Sequence, residues 1–141
     1  RWTGRVTAGA TCDIPVISTD FYPTFLEIAG TDKPANHPLD GESLVPLLDG
    51  QNVYADRPLY WHMPVYNVFG TKPCSLVRQR NYKLIQWFED ERFELYDLNA
   101  DISEKQNLID SHPKTATRMR RLLADWQTRI AAPLPQTRSP K

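Results

Sequence analysis

The sequence predicts an α+β fold, and three observations carry the prediction. Four short segments between Arg57 and Leu98 are rich in aromatic and branched residues. The last three follow one another across turns too short for a crossover, so they form antiparallel hairpins. After them comes a stretch whose apolar residues recur at helical spacing, a natural cover for one face of a small sheet.

In chain order, "CDIPVIST" is a short apolar run, read as a strand, that ends at Ser18 or Thr19, either able to cap a helix. In "DFYPTFLEIAG", Phe21, Phe25, Leu26 and Ile28 make a helical stripe and Gly30 supplies a stop, so a helix is expected over Thr19 to Ala29. "TDKPANHPLDGES" reads as a loop and "SLVPLLDG" as a helical turn or two closed by Gly50. The strands are "RPLYWHM", "CSLVRQR", "YKLIQWF" and "RFELYDL", the first joined to the second by the longer "PVYNVFGTKP". Alternation in "PLYWHMP" puts Tyr60 and His62 on one face and Leu59, Trp61 and Met63 on the other. Trp61, Trp87 and Trp126 read as core, the last two meeting between sheet and helix. Arg78 and Arg80 share a face with Leu76, and their expected partner across the sheet is Glu94. Asp110 or Ser111 can cap the final helix, with Pro113 in its first turn. Ala116, Met119, Leu122, Leu123, Trp126 and Ile130 then face inward, and Arg118, Arg120 and Arg121 face water. The expected division is 1–56, 57–130 and a loose tail, 131–141.

The 141 residues suit a domain of ordinary size, and seventeen basic residues balance seventeen acidic ones. No overall field therefore favours nucleic acid or an anionic membrane surface. No apolar run approaches the ~20 residues that cross a bilayer. Cys12 and Cys74 allow either a disulfide or two free thiols. The chain opens on Arg1 rather than Met, which fits a piece of a longer protein.

Catalytic signals are missing. Neither a G-x-S-x-G elbow nor an H-E-x-x-H helix occurs, and no glycine-rich phosphate loop is present. The carboxylates of "FEDERFE" belong to a solvated turn. "LNADISEKQN" lacks the spacing of a calcium loop and reads as a polar loop before the last helix.

The ordered set "WTGRVTAG", "DIPVISTDFYPTFLEIAG", "LDGESLVPLLDG", "RPLYWHMP", "LVRQRNYKLI" and "FELYDLNADISEKQNLI", closed by the Arg/Leu/Trp helix, resembles the C-terminal part of a formylglycine-dependent sulfatase of the alkaline-phosphatase-like superfamily. The resemblance runs from Trp2 to about Trp126. It implies that the first helix and loop end a large α/β domain and that the sheet is a small C-terminal subdomain. It implies a parent that hydrolyses sulfate esters, on a carbohydrate, with calcium and formylglycine held by an N-terminal domain. Neither Cys12 nor Cys74 stands in the C/S-x-P-x-R motif, so no nucleophile or metal ligand carries over. This piece alone is expected to be inactive and to bind no cofactor.

The same resemblance places the "WHMP" end of the first strand near the substrate. His62, Tyr66 and Asn67 are the residues it makes candidates for substrate contact, with His62 bonded to a backbone carbonyl as the structural alternative. Lys72, in "GTKP", is a further candidate that could reach back toward an anion, with a solvated loop lysine as its alternative. His37 and Lys83 are expected to be structural. Two other readings remain: a free-standing carbohydrate- or protein-binding module using Tyr60, Tyr66 and Phe69, and the C-terminal region of a related phosphodiesterase or phosphatase. Expected partners are the N-terminal domain of the same parent and a sulfated carbohydrate, not nucleic acid or membrane. A periplasmic or secreted location is implied by resemblance alone. The helix over Thr19 to Ala29 would expose its apolar side in isolation, so self-association is expected.

Overall fold

A computed structural model describes residues 2–66, 70 and 72–135. The chain forms two compact units, Arg1–Arg57 and Pro58–Lys141.

In the first unit a single 3-10 turn, Ser18–Asp20, runs into helix α1, Phe21–Ile28, and a short helix α2 spans Val45–Leu48. The run 12–17, read as a strand, is irregular, because an extended segment needs a neighbouring strand to bond and none is described beside it. Neither Ser18 nor Thr19 caps the helix. Instead Asp20, fully buried, turns back and accepts from the Ile17 amide at 2.9 Å. The same carboxylate accepts from the Glu42 amide at 3.0 Å and takes both ends of the Arg57 guanidinium, at 2.7 and 2.6 Å. One turn on, Thr24 Oγ1 donates to the Asp20 carbonyl and receives the Leu44 amide at 2.9 Å. Asp20, at the end of the 3-10 turn, and Thr24, in α1, thus fix the loop that precedes α2. Gly41 lets that loop through, since a methyl there would collide with the Thr19 carbonyl.

The second unit is a four-stranded antiparallel sheet in the order β1-β2-β3-β4, with β1 Leu59–Met63, β2 Cys74–Gln79, β3 Tyr82–Trp87 and β4 Phe93–Asp97. Register sets the rows. Tyr60, Val77, Leu84 and Leu95 lie side by side across the sheet, and Trp61, Leu76, Ile85 and Glu94 form the next row, on the opposite face. Helix α3, Pro113–Arg129, covers the first row. Val77, Leu84, Leu95, Met119 and Leu123 are at most 1% exposed, and Tyr60 and Trp126 pack at the margin of this core. The Tyr60 and Trp126 rings stack, with centroids 4.7 Å apart and planes 3° from parallel. Gln127 donates to Gln86 on the same side.

The loop after β4 is tied down by its own polar side chains. Asn107 Oδ1 accepts from the Leu95 and Ile109 amides, and Asp101 Oδ2 from those of Lys105 and Gln106. These carboxylate and amide groups cap backbone, which accounts for the polar pattern of "LNADISEKQN".

Several expectations fail, the first two because the sheet has two faces. Trp87 lies on the face away from α3, so it does not meet Trp126, and Trp61 on that face is 40% exposed rather than core. Glu94 accepts from Trp87 Nε1 at 2.8 Å and Arg92 Nη1 at 2.5 Å, while Arg78 Nε donates to the Arg80 carbonyl. At the start of α3 the cap position is His112, not Asp110 or Ser111. Pro113 follows it with no N–H to satisfy. Ile130 ends the helix and is exposed. Both cysteines are free thiols, Cys12 exposed and Cys74 buried, and burial pushes the Cys74 thiol pKa up.

Three outcomes follow from this packing. Leu84→Ala leaves a cavity beneath α3 and should cost about 2–5 kcal/mol in denaturant unfolding. Burial pushes the Asp20 carboxyl up, but the Arg57 guanidinium and the Ile17 and Glu42 amides outweigh it and hold it below its ordinary value. A depressed folded pKa means the pair contributes fully above the unfolded value of about 3.9 and is lost as pH falls below it. Asp20→Asn should cost about 3–5 kcal/mol at neutral pH, because it leaves the Arg57 charge, only 15% exposed, unmatched, and should flatten stability against pH below about 4. Finally, α1 presents Phe21 and Ile28 to solvent together with Phe25, 62% exposed. The isolated chain should therefore self-associate, with Phe25→Glu shifting it toward monomer. A monodisperse wild-type monomer in light scattering would count against that.

Candidate functional site

One end of the sheet collects the polar side chains most able to meet a ligand. β1 ends there, β2 begins, and β3 turns into β4, so the connection after Met63 and the turn after Phe88 are neighbours. The Phe88 amide donates to the Pro73 carbonyl at 3.0 Å, which closes this edge.

Tyr66 and Lys72 meet on one acceptor. The Tyr66 hydroxyl donates to Glu89 Oε1 at 2.8 Å, and the Lys72 ammonium pairs with Glu89 Oε2. The ammonium and the phenol together hold the Glu89 carboxyl below its ordinary range. In return Glu89 raises the pKa of Lys72 and of Tyr66, by hydrogen bonding in each case. All three groups keep the charge state that they have at neutral pH. The result is an exposed cluster with a phenol ring, an ammonium and a carboxylate, and Tyr66 is 63% exposed. Such a mixture donates to and accepts from hydroxyl groups, and the bare ring face suits a sugar ring.

His62 stands on the α3 face, as the alternation in β1 requires. Its Nδ1 lies 2.6 Å from Ser75 Oγ and its Nε2 2.9 Å from the Pro133 carbonyl. A carbonyl only accepts, so Nε2 carries a proton, and in the neutral ring Nδ1 accepts from the buried Ser75 hydroxyl. The Phe88 and Trp126 rings stand steeply to the imidazole, with centroids 5.9 and 6.4 Å from it. His62 thus joins β1 to residues beyond α3, through the backbone-carbonyl bond foreseen as its structural alternative. Asn67 and Phe69 lie outside the described residues.

Sequence reasoning missed two features. Glu89, which organises Tyr66 and Lys72, was read only as part of an acidic turn; nothing in the sequence links residues so far apart. The other is a cavity of about 630 Å³ on the face away from α3, bounded by Trp61, Leu76, Arg78, Lys83, Leu98 and Glu104. Lys83 Nζ donates to both Glu104 oxygens at 2.8 Å, so that pair forms part of the wall. Its signal is the apolar row Leu59, Trp61 and Met63 in "LYWHM", which lies on the face opposite the row that α3 covers.

Among the described residues no group of three or more His, Cys, Asp or Glu side chains could hold a metal ion. Nor is any described helix long and apolar enough to cross a membrane.

The family described as N-sulphoglucosamine sulphohydrolase, C-terminal, matches residues 1–129. A sulfatase of Formosa agariphila is 32% identical over 94% of this chain and 27% of its own length. The N-acetylglucosamine-6-O-sulfatase of Bacteroides thetaiotaomicron is 28% identical over 90% of this chain and 24% of its own. Among solved structures, BT4656, determined with its substrate D-glucosamine-2-N,6-O-disulfate, superposes with a TM-score of 0.78 at 28% identity, over 91% of this chain and 27% of that one. The chain spans about a quarter of the length of the curated relatives it matches.

Proposed function

Since the chain belongs to the family of N-sulphoglucosamine sulphohydrolase C-terminal regions, we propose that it serves as the C-terminal region of a sulfatase that hydrolyses a sulfate ester on a carbohydrate. The observation that carries this reading is the family match over residues 1–129, reinforced by the superposition of this fold on the solved structure of BT4656.

In this reading calcium and formylglycine belong to the N-terminal domain of the parent, where formylglycine supplies the nucleophile. The contribution of this chain is recognition. Tyr66 offers its ring face and hydroxyl to a sugar, with Asn67 beside it in sequence. Glu89 accepts from sugar hydroxyls. Lys72 donates, but Glu89 already neutralises it, so it is suited to orienting a sugar rather than to capturing a bare sulfate. His62 shapes the same end by locking β1 to Ser75 and Pro133, and reaches a substrate only by giving up one of those bonds.

Kinetics on the whole protein test this assignment. Tyr66→Ala should raise KM for a sulfated oligosaccharide roughly tenfold with kcat little changed, the signature of lost uniform binding. His62→Ala should lower thermal stability as well. The purified 141-residue chain should release no sulfate. Sulfate release by that chain alone, or a whole protein that prefers phosphate esters, would refute the proposal.

A further inference from the structure

Helix α3 carries a feature that neither packing nor the site above accounts for. It holds five cations, Lys114, Arg118, Arg120, Arg121 and Arg129, against one carboxylate, Asp125, in a chain whose net charge is zero. Arg120 turns aside and lies 4.3 Å from the Phe93 ring centroid. The other four fall at intervals of four, three and eight residues, which places them on a single stripe opposite Ala116, Met119 and Leu123. At 1.5 Å per residue the stripe runs about 22 Å along the outer face. It is open to water: the Arg121 and Asp125 side chains are 84% and 71% exposed.

The first three cations of the stripe work against their own helix, whereas Arg129, in the last turn, suits the dipole. Lys114, Arg118 and Arg121 are like charges at i,i+4 and i,i+3, a spacing that repels. Lys114 sits in the first turn, where the helix dipole is positive, and that turn contains no acidic residue to offset it. Among the described residues the compensating contacts are a bond from Arg118 to the Gln79 side chain and the Arg121–Asp125 pair at 3.7 Å. A solvated face needs charge but not charge of one sign placed where it destabilises. A polyanion laid along the helix supplies what the fold does not.

We propose that the outer face of α3 is a docking surface for a sulfated polysaccharide chain, separate from the Tyr66 cluster. The choice of glycan rests on the sulfatase reading above. Single-stranded nucleic acid is the poorer fit, since it favours cations interleaved with exposed aromatic rings, and the aromatic of α3, Trp126, is stacked on Tyr60. A stripe of this length faces several sugars at once, so it favours polymer over single sulfated sugars.

Titration of the chain with heparin, chemically desulfated heparin and duplex DNA tests the surface. Heparin binding should weaken with salt, and Lys114→Gln/Arg118→Gln/Arg121→Gln should reduce affinity at least about tenfold through lost counterion release. The same triple variant should keep its helical circular dichroism and match or exceed the wild type in thermal stability, because repulsion has been removed. Asp125→Asn should bind more tightly. The surface is refuted if the triple variant binds heparin as the wild type does, if desulfated heparin binds equally well, or if DNA binds as tightly. In the whole protein, the triple variant should lose turnover on polymer but retain it on a sulfated monosaccharide. Inactivity on every sulfate ester with intact stripe-dependent binding would defeat the sulfatase reading and leave the surface standing.

Discussion

The constraint on which the sheet unit depends is the burial of one row of side chains, Val77, Leu84 and Leu95, beneath Met119 and Leu123. Because strand side chains alternate, this single choice fixes the direction of every other one. It sends Tyr60 and His62 toward α3 and Trp61, Leu76 and Arg78 away from it. A slip of one residue in any strand would exchange the two faces, exposing Leu84 or Val77 and burying Lys83 or Arg78. The register is therefore held by the cost of burying charge as much as by the gain from burying leucine.

The position of the candidate site follows from that register. The β1–β2 connection and the β3–β4 turn share one end of the sheet, so residues distant in sequence, Tyr66, Lys72 and Glu89, converge without a dedicated element to hold them. His62 is one strand residue away from them in direction but belongs to the packed face, where Ser75 and Pro133 occupy both its nitrogens. The first unit obeys a different rule. There a buried carboxylate, Asp20, gathers two amides and a guanidinium and so ties the chain before α1, the loop before α2 and Arg57 to one point.

The sequence by itself determined the element order, the antiparallel meander, the inward stripe of α3 and the resemblance that identifies a sulfatase C-terminal region. Each of these depends on local spacing, such as alternation in "YKLIQWF" or the recurrence of Ala116, Met119 and Leu123, and local spacing survives without knowledge of neighbours. Tertiary structure alone decided that Trp87 and Trp126 lie on opposite faces, that Glu94 goes to Trp87 and Arg92, that Asp20 rather than Ser18 or Thr19 anchors the first turn, and that Glu89 joins Tyr66 to Lys72. All four concern which side chain meets which across separate segments. That depends on strand register and loop closure, which no pattern within a single segment encodes.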